Sequence, residues 1–266
     1  MRGRVFIIAG SDSGGGAGIQ ADIKTVSALD GFAATAVTAL TAQNTQGVHG
    51  VHPVPTQFIK KQIDVVLSDI GADCIKIGML HDTPTIETVT EVLRSTAAEI
   101  PLVVDPVITA KGGGRLLAED SISALLKELV PLATLLTPNI PEAEALTNLQ
   151  ATDELSLQKM GAELLSKGAH AVLLKGGHLP GSLISDYLFT SKGVKEYQNS
   201  RIDTNHTHGT GCTLASAIAA GVAVGLSLFD AVERAEKYLQ KAIISAPGFG
   251  AGHGPINHTH TFGSKI

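Results

Sequence analysis

Short apolar runs alternate along the chain with longer segments in which apolar residues recur every three to four positions. The short runs are rich in β-branched residues and predict buried strands, whereas the longer periodicity predicts helices. The predicted strands are 5–9, 35–40, 74–77, 102–104, 134–136, 171–174, 185–190 and 194–197, and the predicted helices are 17–29, 56–70, 84–98, 213–224 and 229–245. The helix at 56–70 is expected to bury one apolar face, formed by Phe58, Ile59, Ile63, Val66, Leu67 and Ile70.

Strand–helix alternation over the whole length predicts an α/β fold, with a mostly parallel sheet that is covered by helices on both faces. The strands 185–190 and 194–197, joined by three residues, predict an antiparallel pair. Because no linker or change of composition divides the chain, we expect one domain over 1–266, with a tail at 247–266 that is mostly loop. In such sheets ligands bind beyond the carboxyl ends of the strands.

The composition argues against several classes of protein. Hydrophobic residues make up 44% of the 266, which is enough for a sizeable core and excludes an intrinsically disordered chain. The net charge of −5, without a basic patch, argues against nucleic acid or an anionic membrane as the partner. No apolar stretch is long enough for a membrane span. The two cysteines, Cys74 and Cys212, cannot form a disulfide framework and favour a reducing compartment, the cytoplasm.

Glycine is unusually frequent and clustered. The 29 glycines gather at 10–18, 111–114, 176–181, 209–211 and 248–254. A collagen-like chain would repeat glycine every third residue, and a flexible linker would mix it with serine. Here each cluster stands between an apolar run and a helix-like segment, which is typical of phosphate-binding loops.

The sharpest of these motifs is the sequence THGTGCT at 207–213, which opens a helix with apolar residues at 214, 218 and 222. Its glycines allow a tight turn, and the free amides at a helix N-terminus carry about half a positive charge, which suits a phosphoryl group. The same dipole is expected to lower the pKa of the Cys212 thiol. The alternative is an ordinary capped helix with a packing cysteine.

Polar residues that follow predicted strands form a second group of candidates. Asp105 closes one strand, and Asn139 and Glu142 follow another. Asp105 and Glu142 are placed to share Mg²⁺, largely through water, and Lys175 at the end of a further strand is placed to meet a phosphate as a point charge. Alternatively, the acids and the amide are helix caps or turn residues, and Lys175 is a surface lysine.

Four further features keep two interpretations each. The loop GSDSGGGAG at 10–18 resembles a dinucleotide fingerprint only weakly, and a flexible strand–helix turn is the alternative. Asp22, about one helical turn further on, either faces the same cleft or is a solvated carboxylate. The Gln43 amide can pair with an aminopyrimidine edge or serve as a turn amide. Met79 lines a pocket wall or packs in the core.

Together these motifs resemble those of the bacterial hydroxymethylpyrimidine/phosphomethylpyrimidine kinases, a family of the ribokinase-like superfamily. They run in the same order over roughly 4–256, at 10–22, Ala42-Gln43-Asn44, 76–80, Asp105-Pro106-Val107, 137–143, 174–178 and 207–212. The resemblance implies a three-layer α/β/α fold, a homodimer, and phosphorylation that depends on ATP and Mg²⁺. The implied acceptor is the hydroxymethyl group of 4-amino-5-hydroxymethyl-2-methylpyrimidine, and then its monophosphate, in thiamine biosynthesis.

The resemblance also implies a role for each matched residue. The pyrimidine would be recognised by Gln43, with Asp22, Met79, Val107 and Gly10 around the ring. Mg²⁺ would be organised by Asp105 and Glu142, and ATP would be bound by Asn139, Lys175 and Thr210. The anion hole would be formed by Gly209, Thr210, Gly211 and Cys212, and the hydroxyl proton would be accepted by Cys212.

Two positions depart from the family pattern. Gly14 stands where relatives often carry serine, and the loop at 111–114 is richer in glycine than expected, which suits a mobile lid. The nearest alternative is a pyridoxal or pyridoxine kinase of the same superfamily, although Gln43 after Ala42 favours the pyrimidine.

Two alternatives from other classes are weaker. A non-catalytic sensor of nucleotides or vitamins would be suggested by loss of Asp105, Glu142 or Lys175, and all three are present. A dinucleotide-dependent dehydrogenase needs an acidic residue at the end of its second strand to hold ribose, and this chain has Gln43 there.

Overall fold

A nine-stranded sheet forms the centre of the computed structural model, which describes residues 3–110, 113–114, 116–177 and 181–262. Its strands are β1 (Arg4–Asp12), β2 (Phe32–Asn44), β3 (Gly47–Pro53), β4 (Cys74–Ile77), β5 (Leu102–Val104), β6 (Leu135–Leu136), β7 (Ala171–Leu174), β8 (Leu183–Thr190) and β9 (Gly193–Ser200). The strand order is β3-β2-β1-β4-β5-β6-β7-β8-β9. The strands from β2 across to β7 are parallel, and β3, β8 and β9 are antiparallel to their neighbours.

Helices cover both faces of this sheet. They are α1 (Gly18–Ala28), α2 (Thr56–Asp69), α3 (Thr83–Thr96), α4 (Ser121–Ala124), α5 (Ile140–Thr147), α6 (Glu154–Ser166), α7 (Thr210–Ala223) and α8 (Leu228–Ile244). A π-helical turn and a 3₁₀ turn continue α4 to Leu132. One core packs α1, α7 and α8 on the sheet, and the other packs α2, α3, α5 and α6 on the opposite face. The three-layer α/β/α fold is thereby confirmed.

Most predicted elements are confirmed, and the missed ones have weak local signals. The strands at 74–77, 102–104 and 171–174 match β4, β5 and β7, and 185–190 and 194–197 form the antiparallel pair β8–β9. The edge strand β3 was not predicted, because its glycines, histidines and proline are poor strand formers and its side chains face largely outward. The segment 121–132, α5 and α6 were also not predicted. The capping boxes that open α5 and α6 were the available signal.

The buried face of α2 is narrower than its apolar pattern indicates. Ile59 and Ile63 are fully buried against the sheet. Phe58 is 57% exposed and Ile70 is 37% exposed, so their assignment to the buried face is wrong. A helix on a flat sheet buries a narrow stripe, and residue 58 is turned about 100° away from residue 59.

The segment after residue 247 is expected to be mostly loop. Over its described part, residues 247–262, the only helical turn is the 3₁₀ turn Thr259–Thr261. The lid assigned to 111–114 includes Lys111 and Gly112, which lie outside the described residues, as does His178 of the 174–178 motif. Among the described helices, none has both the length and the apolar character that crossing a bilayer requires.

Candidate active site

The carboxyl ends of the parallel strands open into a cavity of about 830 Å³. Every residue that the sequence placed in the site lines this cavity except Asp22, namely Gly10, Gln43, Met79, Asp105, Val107, Asn139, Glu142, Lys175, Gly209, Thr210, Gly211 and Cys212. The volume is that of a typical small-molecule site. The sequence motifs therefore converge because the strands that precede them end at one edge of the sheet.

The loop before α7 presents free amides to the cavity. Gly209 has a φ of +83°, and a Cβ there would collide with the carbonyl oxygen of Gly16, so the two glycine loops touch backbone to backbone. The Thr213 amide makes a helical hydrogen bond to the Gly209 carbonyl at 2.9 Å. The amides of Gly211 and Cys212 precede it, and both residues line the cavity. Amides of a first helical turn lack helical acceptors, so these two are available to an anion.

The Cys212 thiol, which is half-buried in the cavity wall, does not have the acidity expected of it. Burial raises the pKa of Cys212 to about 12, although the Lys76 cation opposes the shift. The expectation of a lowered pKa is therefore wrong. The helix dipole is outweighed by removal of the thiol from water and by the nearby carboxylates of Asp22 and Asp105. In the free protein Cys212 is a neutral thiol at neutral pH.

We expect iodoacetamide to alkylate Cys212 slowly at neutral pH and about tenfold faster for each added pH unit below the thiol pKa, because the thiolate is the reactive form. Intact mass spectrometry of the folded protein measures the rate. Cys74 is fully buried, so a Cys74→Ala variant should show the same profile. A rate that is already maximal at neutral pH would contradict the raised pKa.

Lys175 and two acids stand beside the α7 amides. Lys175 directly follows β7, and its Nζ lies 2.9 Å from Oδ1 of Asp105, which follows β5. Burial raises the pKa of the Glu142 carboxyl to about 7, against the attraction of Lys175. A Cβ placed on Gly211 would lie 3.4 Å from Lys175 Nζ and 3.6 Å from Asp105 Oδ2. A cation and the Asp105 carboxylate therefore face the same point as the free amides of α7.

The two carboxylates fit a hydrated Mg²⁺. Asp105 and Glu142 are 3% and 4% exposed, and the Asp105 charge adds to the raised pKa of Glu142, so a divalent cation would relieve both charges. Glu142 Oε2 also accepts from the Asn139 amide at 2.8 Å, and Asn139 Oδ1 accepts from the Glu142 amide at 2.9 Å. The helix-cap interpretation of this pair therefore holds as well. The described residues contain no cluster of three metal-binding side chains, so Mg²⁺ would keep water and phosphate oxygens as ligands.

Apolar side chains near β1 and β4 form a wall of the cavity. The Thr38 hydroxyl donates to the Met79 carbonyl at 2.6 Å, which fixes the chain where it leaves β4. A Cβ on Gly10 would lie 3.0 Å from the Met79 sulfur, so glycine allows Met79 to approach β1 closely. Met79 and Val107 pack in a small cluster with Leu116. Met79 therefore both lines the pocket and packs in a small hydrophobic cluster, so its two interpretations hold together.

The Gln43 side chain is held by a polar network. His208 Nε2 lies 2.9 Å from Asp12 Oδ2 and 3.4 Å from Gln43 Nε2, and the Thr41 hydroxyl lies 3.0 Å from both Gln43 Oε1 and the Ser11 carbonyl. One hydroxyl proton can serve one acceptor. The Asp12 carboxylate can only accept, so the proton on His208 Nε2 serves Asp12. His208 and Thr41 lie against the two ends of the Gln43 amide, and the network thus holds this side chain in place.

The glycine loop at 10–18 is organised by Asp12 and is not a phosphate-binding loop. The Asp12 carboxylate accepts from the amides of Gly14 at 2.8 Å, Gly16 at 3.0 Å and Ala17 at 2.8 Å. Burial opposes ionisation, but His208 and these amides hold the pKa of Asp12 below its usual range. The roles of Asp12 and His208 were not predicted from the sequence. An acid followed by glycines two and four residues later was the available signal.

Asp22 does not reach the cavity, so its assignment to the ring site is wrong. Its side chain is fully buried, accepts from Ser216 Oγ at 2.6 Å and pairs with Lys76 Nζ at 2.9 Å. Burial alone would lower the pKa of Lys76, but the Asp22 carboxylate outweighs burial and raises it. Lys76 itself lines the cavity, so the lysine end of this ion pair, which is neutral as a whole, lies in the cavity wall.

We expect Lys76→Met to lower the free energy of unfolding by about 3 to 5 kcal/mol, because it leaves the Asp22 carboxylate buried without its partner. Urea unfolding measures the change. Lys60→Met is the control, since Lys60 pairs with Asp64 at 3.9 Å on the exposed face of α2 and should cost less than about 1 kcal/mol. Equal costs in the two variants would contradict a structural role for the buried pair.

Similarity to known proteins covers nearly the whole chain. A family model described as phosphomethylpyrimidine kinase matches residues 12–257. The hydroxymethylpyrimidine/phosphomethylpyrimidine kinase of Rhizobium meliloti is 46% identical over 95% of this chain and 96% of its own length. The thiamine biosynthesis bifunctional protein ThiED of Geobacter sulfurreducens is 49% identical over 97% of this chain, which spans 52% of that protein. The ADP complex of Bacillus subtilis pyridoxal kinase has a TM-score of 0.89 at 30% identity, covering 97% of this chain and 98% of the other.

Proposed function

The chain belongs to the phosphomethylpyrimidine kinase family, and we propose that it transfers the terminal phosphoryl group of ATP to 4-amino-5-hydroxymethyl-2-methylpyrimidine and then to the resulting monophosphate, in thiamine biosynthesis. As a member of this family it is a kinase, and therefore a phosphotransferase. The observation that carries the proposal is the proximity of Gly211, at the N-terminus of α7, to the side chains of Lys175 and Asp105. Phosphoryl transfer needs this combination of positioned donors and neutralising charge.

ATP is the proposed phosphoryl donor. The similar pyridoxal kinase structure is an ADP complex, and the cavity offers Lys175, Asn139 and Thr210 as polar contacts for phosphates. Asp105 and Glu142 would hold Mg²⁺ largely through water, and the bound cation would supply positive charge against the phosphates. Lys175 supports the same task from the end of β7, because its ammonium can contact a phosphate while it stays paired with Asp105.

The acceptor pocket fits a small aminopyrimidine. Met79, Val107 and Gly10 supply the apolar wall, and the fixed amide of Gln43 supplies one donor edge and one acceptor edge. The alternative acceptor, pyridoxal, is less well supported. The relative named for the pyrimidine is 46% identical to this chain, whereas the pyridoxal kinase is 30% identical.

Cys212 is proposed to accept the hydroxyl proton as a thiolate. A neutral thiol cannot take a proton, so this role requires the minor ionised form, which the Lys76 cation favours. In a loose transition state the attacking hydroxyl keeps its proton until late, and a base is then worth less than the charge-stabilising amides. The role requires that kcat increase with pH and that Cys212→Ala lose this increase.

Incubation with ATP, Mg²⁺ and the hydroxymethylpyrimidine, followed by mass detection of monophosphate and diphosphate, tests the proposed function. Pyridoxal is assayed in parallel, and kcat/KM should be higher for the pyrimidine. The absence of any phosphorylated pyrimidine would overturn the function, and a product that stops at the monophosphate would overturn the second step.

The Cys212→Ala variant tests the proposed base separately. If this variant kept the wild-type kcat, the base assignment would be wrong, while the proposed anion hole would be unaffected.

We also propose that the chain is a single-domain, cytoplasmic homodimer. The single continuous sheet supports one domain, and the two free cysteines suit a reducing compartment.

The surface proposed for the dimer contact lies on α2 and β2. Phe58 and Val65 are seven residues apart on one face of α2, and they are 57% and 54% exposed. Leu40 on the neighbouring β2 is 49% exposed. An apolar surface of this kind favours contact with a second copy.

Analytical ultracentrifugation of the wild-type protein is expected to show a dimer, and Phe58→Glu with Val65→Glu is expected to shift it to monomer, because two charges would then be buried at the contact. Glu91→Gln on the exposed side of α3 is a control that should leave the mass unchanged. A monomeric wild-type protein, or a double variant that stays dimeric, would contradict this interface.

A further inference from the structure

Two buried acids that the sequence analysis did not select stand side by side in the cavity wall. Asp186 on β8 and Glu236 on α8 are 6% and 5% exposed, line the cavity and interact through their carboxyl groups. Asn199 on β9 donates to Glu236 Oε2 at 2.9 Å. Within the described part of the chain, the buried Glu236 Oε1 has no donor. Two ionised carboxylates in contact at such a place repel strongly, and the unpartnered oxygen requires a donor.

Asp186 also holds the turn that carries Lys175. Its Oδ1 accepts from the Gly176 amide at 2.7 Å. A Cβ on Gly176 would collide with the backbone of β8, so the turn lies directly against that strand. On its other side Arg201 Nη1 donates to the Gly177 carbonyl at 3.0 Å. The direction in which the Lys175 side chain leaves β7 therefore depends on the Asp186 carboxyl.

We propose that Asp186 and Glu236 share one proton, and that this acid pair is the positioning element that holds the 175–177 turn for the nucleotide phosphates. The proton lies between the remaining oxygen of Asp186 and Glu236 Oε1. Asp186 Oδ1 keeps the Gly176 amide and Glu236 Oε2 keeps Asn199, so every oxygen of the pair has a partner. The proposal rests on the proposed function only in taking a nucleotide as the ligand.

The shared proton makes the pair sensitive to a rise in pH. Burial raises the pKa of both carboxyls, and Lys175 at the end of β7 opposes this. Tyr197 on β9 also interacts with Glu236. A carboxyl whose pKa is raised by folding contributes stability that is complete below its unfolded pKa and is lost as pH rises through its folded pKa. Rising pH therefore ionises the pair, and the repulsion that follows releases the turn.

Amide variants replace the proton with a permanent donor. In Glu236→Gln the amide nitrogen faces Asp186 and the oxygen keeps Asn199, and Asp186→Asn does the same from the other side. The free energy of unfolding in urea and the Kd for ADP are measured from mildly acidic to alkaline pH. We expect wild type to lose stability relative to Glu236→Gln as pH rises. Its Kd for ADP should rise by up to about tenfold per pH unit above the apparent pKa of the pair, with neither change in the amide variants.

Glu233→Gln is the matched control. Glu233 lies about one turn earlier on α8, is exposed and pairs with Lys237, so this variant should follow wild type. Parallel pH profiles in wild type and both amide variants would overturn the shared proton. A pH-dependent stability difference with identical ADP affinities would overturn the positioning role. If Glu236→Gln does not fold, Asp186→Asn gives the same test. ADP binding needs no pyrimidine, so a failure of the proposed function appears separately, as missing pyrimidine phosphates.

Discussion

Replacing Gly209 with alanine is expected to lower kcat/KM for pyrimidine phosphorylation by a factor of about 100 to 1,000, as does the loss of one donor from an oxyanion hole. Gly209 has a φ of +83°, and its α-carbon stands against the Gly16 carbonyl, so a methyl group must push the two loops apart. That movement displaces the amides of Gly211 and Cys212. Since these amides are proposed to act on the phosphoryl group during its transfer, the loss should fall mainly on kcat.

Gly225, just beyond the other end of α7, separates this effect from backbone strain. It has a φ of +82°, and no atom lies within 4 Å of the position that its Cβ would take. Gly225→Ala therefore carries the same conformational cost, about 1 kcal/mol, without a collision. Thermal melts and steady-state kinetics should show a lower Tm in both variants and lost activity in Gly209→Ala alone. Equal losses of activity would show that strain in α7, and not amide placement, is responsible.

The residues that converge on the cavity could be predicted because their signal is local. Asp105, Asn139 and Lys175 each follow an apolar run, and the runs are parallel strands whose carboxyl ends share an edge. The strand that leads to Gln43 was placed correctly, but its length was not. β2 continues through Asn44 because it pairs with β3, a partner with little apolar pattern of its own.

The charge states of the site could not be predicted, because they are set by residues that are distant in the sequence. Lys76 on β4 and Asp22 on α1 are 54 residues apart and meet only in the folded protein. The Cys212 motif shows a helix N-terminus, whose dipole favours a thiolate, but nothing in the motif shows how much protein surrounds the sulfur. The glycines at 10–18 likewise do not indicate that their backbone amides donate hydrogen bonds to the Asp12 carboxylate. The local backbone geometry could thus be predicted from the sequence, whereas the burial of these side chains could not.

Lys175→Met is expected to lower kcat/KM by about 100-fold or more and to weaken ADP binding. Methionine is similar in length and apolar, so it fills the place of the lysine stem. The ammonium that lies 2.9 Å from Asp105 and offsets the raised pKa of Glu142 is lost. The anionic phosphates would then enter a site whose two carboxylates face them without the neighbouring cation, and both binding and phosphoryl transfer should suffer.

The loss in Lys175→Met has to be distinguished from the loss of any lysine. Lys167, at the end of α6, pairs with Glu163 at 3.0 Å on the surface, and Lys167→Met should leave both kcat/KM and ADP affinity unchanged. Since Mg²⁺ competes for the same carboxylates, raising its concentration should restore part of the ADP affinity of Lys175→Met and none of its kcat, because an added cation replaces the charge and not its position. Wild-type kinetics in Lys175→Met would mean that the phosphates bind away from β7, and the arrangement of charge around Gly211 would then serve another ligand.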